Sequence, residues 1–216
     1  MNKTILKDYS PYLVPFLLFA VLTYLFPYIG ISKIYIYPAK ILIVFLTIIF
    51  FWSIIKKEIR FKFDYLAFFG GIFVFFVWIS FEGFYPIIGN DDFFNPFAVK
   101  EKIIIVYAWI LIRIIGASFV VPIVEELFWR SFATRVLIDP DIKKIPFASF
   151  SWFSFIVVSI AFGFEHYRWL PGIIAGMIYC LLYYRTKNLF SPIISHGTTN
   201  LMLGIYVVVT GQFEFW

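Results

Sequence analysis

The sequence predicts an all-α fold, a polytopic membrane bundle of seven or eight transmembrane helices, and three observations carry that prediction. Of the 216 residues, 62% are hydrophobic and 14% charged, whereas about a quarter of the residues of a soluble domain are charged. Mean hydropathy is +0.90. Apolar runs close to the ~20 residues that cross a hydrocarbon core recur along the chain, and none alternates apolar-out and polar-in as a membrane barrel would. Inside a bilayer every backbone polar group must be satisfied within the segment, so unbroken runs such as 41–52 fit helices.

In chain order the runs are 11–29, 38–55, 65–81, 103–121, 151–165, 171–184 and 191–209. The first lacks the short apolar core and small-residue cleavage site of a secretory signal, and is expected to be a retained span. The stretch 103–138 would reach about 54 Å as one helix, nearly twice the ~30 Å hydrocarbon thickness. It is therefore expected to divide into two spans near Pro122.

Positive charge gathers in short connections: Lys56, Lys57, Arg60 and Lys62 in one, Lys143 and Lys144 in another, Arg185 and Lys187 in a third. Cytoplasmic loops carry this excess. The connection 82–101 holds Glu82, Asp91, Asp92 and several turn formers, and belongs to the opposite face. Two spans within 103–138 would put Lys143 on the face opposite Lys57, and this conflict is what leaves the count at seven or eight. The net charge of +5 reports topology, and nucleic acid is not an expected partner. Cys180 is the only cysteine, which excludes an intrachain disulfide and a CxxC zinc site. Residues 1–216 read as one membrane domain without internal repeat or linker, its chemistry-bearing part spanning about 103–209.

Within that part, VPIVEELFWRSF places Glu125, Glu126 and Arg130 among apolar neighbours. A charge near the bilayer centre costs about 2.5–3.5 kcal/mol on insertion scales, so such residues face one another or a watery cavity and are functional candidates by default. Glu126 and Arg130 are four apart and share a helical face, whereas Glu125 is turned about 100° away. One carboxylate is thus neutralised in place and the other is free to work. Both histidines of the chain sit in short polar clusters beside apolar runs: FGFEHYRW with Phe162, Glu165 and His166, and SHGTTN with His196 and Asn200. Histidine is the side chain best suited to moving protons near neutral pH. Each cluster also has a plain structural reading: a buried ion pair for Glu126–Arg130, interhelical hydrogen bonding for His196–Asn200, and an interfacial belt for His166 beside Tyr167, Arg168 and Trp169. All three readings would have to coincide, and to capture both histidines.

EELFWR, FGFEH and HGTTN resemble, in order, the EExxxR, FxxxH and HxxxN motifs of the CAAX prenyl protease and bacteriocin-processing family, the CPBP or Abi intramembrane proteases. The resemblance implies an intramembrane endopeptidase with its site in a cavity within the bilayer. Glu125 and His166 would activate a water, a task apolar surroundings favour by strengthening a carboxylate as a base. His196 and Asn200 would stabilise the oxyanion, a role worth about 3–4 kcal/mol per well-placed donor. Glu126 and Arg130 would order the site or meet the substrate, and Trp129, Phe162 and Phe164 are expected to line the cavity. HExxH is absent and the resemblance implies a glutamate site without an obligatory metal, so no cofactor is expected.

The terminal GQFEFW and the chain length resemble a bacterial subset associated with exosortase-type sorting systems. The expected partners are then membrane lipids and a membrane-embedded or lipidated protein substrate, the expected setting a bacterial inner membrane, and prenyl processing is not expected. A proton-coupled transporter would also hold Glu, Arg and His in a bundle, but matching Gly/Pro-broken halves are missing. A non-catalytic scaffold or immunity protein is opposed by the complete motif set. A serine protease is opposed by Ser118 and Ser195, neither of which sits in a nucleophile motif. Arg113 lies mid-run; a partner such as Glu82 or Glu101, or an interfacial position, would account for it.

Overall fold

The fold is taken from a computed structural model that describes residues 3–25, 28, 30–89 and 93–216. Among these residues there are seven helices and no strand: α1 (Lys3–Leu25), α2 (Lys33–Ile55), α3 (Tyr65–Ser80), α4 (Ile103–Val136), α5 (Trp152–Phe164), α6 (Trp169–Thr186) and α7 (Phe190–Thr210). Short 3₁₀ turns at Pro96–Ala98 and Phe213–Phe215 complete it. Four of the helices (α1 over Leu6–Leu25, α2, α4 and α7) are long and apolar enough to cross a membrane, and α3 and α5 are shorter apolar helices. The protein is an integral membrane helical bundle. Residues 26, 27 and 29 of the first apolar run, and Asp91 and Asp92, lie outside the described residues.

The expected break near Pro122 does not occur. Residues Ile103–Val136 form one helix of 34 residues, about 51 Å at the α-helical rise of ~1.5 Å per residue. Two π segments, Gly116–Val120 and Leu127–Ala133, interrupt its α-helical ladder and leave Val121–Glu126 as an α segment between them. Pro122 is the second residue of that α segment and has no N–H for the carbonyl of Ser118, four residues back. The wider π turn accommodates the missing bond, and the Ser118 oxygen lies against Gly197 of α7.

One helix in place of two removes the topological conflict. Leu189 N–H donates to Glu58 O at 3.1 Å, and Arg60 N–H to Asn188 Oδ1 at 2.9 Å. Arg185 pairs with Asp64, Lys143 with Asp8 at 2.7 Å, and Tyr9 donates to Pro140 O. All three basic connections therefore gather at one end of the bundle, which the positive-inside rule assigns to the cytoplasm. At the other end Arg168 pairs with Glu82 at 2.7 Å, and Trp109 packs on Trp216.

Close helix approach positions the interior. α5 packs on α6, α3 on α7 and α1 on α2. A Cβ on Gly71 would come within 2.3 Å of Ser195 O, and one on Gly197 within 2.5 Å of Ser118 O. These glycines let α3 and α4 lie directly against α7 on either side of His196, the small-residue packing that membrane helices use in place of a hydrophobic driving force.

Candidate active site

α4 brings its charged trio to the interior between its two π segments. Arg130 and Glu126 are both fully buried, with Nε 2.9 Å from Oε2. The guanidinium lies over the rings of Phe162 at 4.1 Å and Tyr179 at 5.3 Å. Glu126 Oε1 accepts from His196 Nδ1 at 2.8 Å, which orients that imidazole and turns Nε2 toward Glu125 Oε2, 3.9 Å away. One glutamate is thus held by an arginine and a histidine, while Oε2 of the other has no hydrogen-bond partner among the described residues.

His166 lies just past the end of α5, in the 165–168 turn, and its Nδ1 is 2.9 Å from Phe162 O. With Nδ1–H donated to that carbonyl, Nε2 is left as an acceptor. Burial lowers the pKa of this imidazole, so it is neutral near neutral pH. Phe162 stands between the histidines, its ring centroid 5.0 Å from that of His166 and 5.9 Å from that of His196. On α7, Asn200 donates from Nδ2 to Ala117 O at 2.8 Å, a carbonyl inside the first π segment of α4. The other N–H of that carboxamide is not engaged by any described residue.

Glu125, His166, His196, Asn200 and Phe162 all line one cavity of about 350 Å³, within the ~300–1,000 Å³ range of ligand sites. Glu126 and Arg130 lie directly behind it. Two expectations about its wall are corrected. Trp129 does not line the cavity; helical pitch turns it toward the 165–168 turn, where Nε1 donates to Glu165 Oε2 at 2.7 Å. Phe164 is 54% exposed and stacks on Trp169 at 5.6 Å. Two residues along a helix from Phe162, it points about 200° away from the cavity.

Several cavity residues were given no role in the site by the sequence. Tyr179 stacks on His196 at 5.1 Å and donates to Thr199 Oγ1 at 2.9 Å. Lys40, 6% exposed, enters from α2 with Nζ 2.9 Å from Thr23 Oγ1. Glu165 sat inside a quoted motif without a role, and an ionisable residue at the end of an apolar run was its signal. Arg113 also lines the cavity, its guanidinium 4.5 Å from the Tyr37 ring. Glu82 is taken by Arg168 and Glu101 by Tyr35, so neither is the acid for Arg113. Among the described residues, no group of three His, Cys, Asp or Glu side chains could hold a metal.

A carboxylate, two imidazoles and a carboxamide around one cavity in a membrane helical bundle have the make-up of a water-activating hydrolase site. Residues 107–202 match the family described as type II CAAX prenyl endopeptidase Rce1-like. The chain is similar, over that segment, to the CAAX protease family whose three motifs it carries, and the match contains all of them. Neither curated proteins nor solved structures yielded a match.

Proposed function

We propose that the protein is an intramembrane endopeptidase that hydrolyses a peptide bond of a membrane-embedded or lipidated protein. The observation that carries this reading is the convergence of Glu125, His166, His196 and Asn200 on one cavity inside the bundle; the similarity of 107–202 to the Rce1-like family supports it. Glu125 and the free Nε2 of His166 take the proton of a water as it attacks the carbonyl carbon. The unengaged N–H of Asn200 and the imidazole of His196 receive the oxyanion. Glu126 holds Nδ1 of His196 and is itself held by Arg130, so the ring is oriented before substrate arrives.

No feature of the cavity selects a prenyl group, and its lining is two-sided, apolar with charged positions. The setting fits a bacterial plasma membrane, and a link to exosortase-type sorting rests on GQFEFW and the chain length. The test is reconstitution in liposomes with a panel of lipidated and transmembrane peptides. Glu125→Gln or His166→Ala is expected to lower turnover about 10²–10⁴-fold with the helical circular dichroism unchanged. Undiminished turnover in either variant would move the protein to the transporter class.

A further inference from the structure

The cavity holds a second carboxyl group that the reaction as derived leaves unused. Glu165 lines it beside Glu125 and His166. Its Oε2 is fixed by the indole N–H of Trp129, 2.7 Å away on the same helix as Glu125, while Oε1 accepts no hydrogen bond from any described residue. No arginine or lysine pairs with it among the described residues, because its neighbour Arg168 is taken by Glu82. A glutamate that only anchored Trp129 would have no reason to line the cavity that contains the reacting groups.

We propose that Glu165 is the general acid of this site, delivering the proton that the leaving amine requires while Glu125 takes one from the attacking water. This rests on the endopeptidase reading. In the first half of the reaction the water oxygen bonds to the carbonyl carbon and one water proton passes to Glu125. The resulting tetrahedral oxyanion carries the new hydroxyl. Glu165 then protonates the amide nitrogen, the C–N bond breaks, and the carboxylic acid and the amine are released. Glu125 is left protonated and Glu165 ionised; one proton passed from Glu125 to Glu165 through the cavity restores the resting state. No other reactant enters.

The surroundings fit an acid that keeps its proton. Glu165 is exposed where it lines the cavity, and the partial desolvation of its carboxyl by the packed helices raises its pKa above the ordinary carboxylate range. The Trp129 N–H and Arg130 oppose the shift, and Glu126 adds to it. The other charged or titratable groups lining the cavity are Tyr24 from α1, Lys40 from α2, Arg113 and Glu125 from α4, His166, Tyr167 and Arg168 from its own turn, Tyr179 from α6, His196 from α7, and Glu214 beyond α7. An acid of raised pKa works while protonated, so its contribution is present at lower pH and fades as pH rises through that value.

The test compares two substrates with one acyl part, a peptide amide and the matching nitrophenyl ester, whose leaving group departs without a proton. The full chain in liposomes is assayed as wild type, Glu165→Gln, which still accepts from Trp129, Glu165→Asp and Glu125→Gln. Glu165→Gln is expected to lower amide turnover about 10²-fold or more, to leave the ester within a factor of a few, and to abolish the alkaline fall of the amide pH profile. Glu165→Asp should restore part of the amide rate. Equal losses on both substrates would reduce Glu165 to a support for Trp129 and overturn the proposal, as would an unchanged amide rate. Full activity of Glu125→Gln on both substrates would instead sink the endopeptidase reading itself.

Discussion

Arg130 and Arg135 stand five positions apart on one helix, each buried and each facing a glutamate, yet the two pairs are built differently. Arg135 is directly hydrogen-bonded: Nε donates to Ser131 O at 2.6 Å, and Nη2 reaches Ser131 Oγ at 2.7 Å and Glu58 Oε1 at 3.4 Å. Glu58 also accepts from Tyr12 and Ser131, so the network ties α1, the first basic connection and α4 together. Arg130 sits 2.9 Å from Glu126, but none of its nitrogens makes a well-directed hydrogen bond within the described residues, and aromatic faces supply the rest of its surroundings. A buried ion pair held by several directed hydrogen bonds serves the fold. One left partly unsatisfied beside a cavity is poised to act on what enters it.

Replacing each arginine by alanine breaks or upholds that contrast. Either change leaves a buried glutamate uncompensated and is expected to cost about 3–5 kcal/mol of stability, measured by unfolding in detergent. Hydrolysis per folded molecule is the discriminating quantity: Arg135→Ala should keep it and Arg130→Ala should lose it. Equal retention in both would erase the distinction between the pairs.

A smaller effect is expected between the helices than within the pair. Gly197→Ala would set a Cβ 2.5 Å from Ser118 O, and overpacking of this kind costs about 1–3 kcal/mol. It should also lower turnover, because separating α4 from α7 draws Glu126 away from His196. Thermal unfolding and peptide hydrolysis measured on the same preparation check both halves. The smallest effect belongs to the surface. Lys143 and Asp8 pair at 2.7 Å with the lysine 64% exposed, and Lys143→Ala is expected to cost less than about 1 kcal/mol. A larger loss in detergent unfolding would show that the cytoplasmic end resists opening more than exposed pairs do.

The helices were legible because partition into lipid is nearly additive along the chain. The runs 38–55, 65–81, 151–165 and 191–209 agree with α2, α3, α5 and α7 to within a few residues at either end. Glu125, Glu126 and Arg130 were legible for the related reason that a charge in an apolar run must have company. What was illegible depends on contacts far apart in sequence. Glu58 sits among lysines and reads as a solvated loop residue, yet it meets Arg135 across 77 positions. Tyr179 and Lys40 look like an ordinary aromatic and a snorkelling lysine until α6 and α2 are packed against the cavity.

Pro122 misled for a different reason. Proline predicts a break wherever the helix must bond to its nitrogen, and here a π turn removes that need while a glycine on another helix makes room for the released carbonyl.

The residues alone determined the solvent, the helical class and which side chains could do chemistry, since each follows from local composition and the cost of charge in hydrocarbon. Only the packed bundle decided which acids are held by arginine, which open to the cavity, and that 103–136 crosses as one helix. Those outcomes turn on where distant backbones approach within a glycine's width, and no local term along the chain carries that distance.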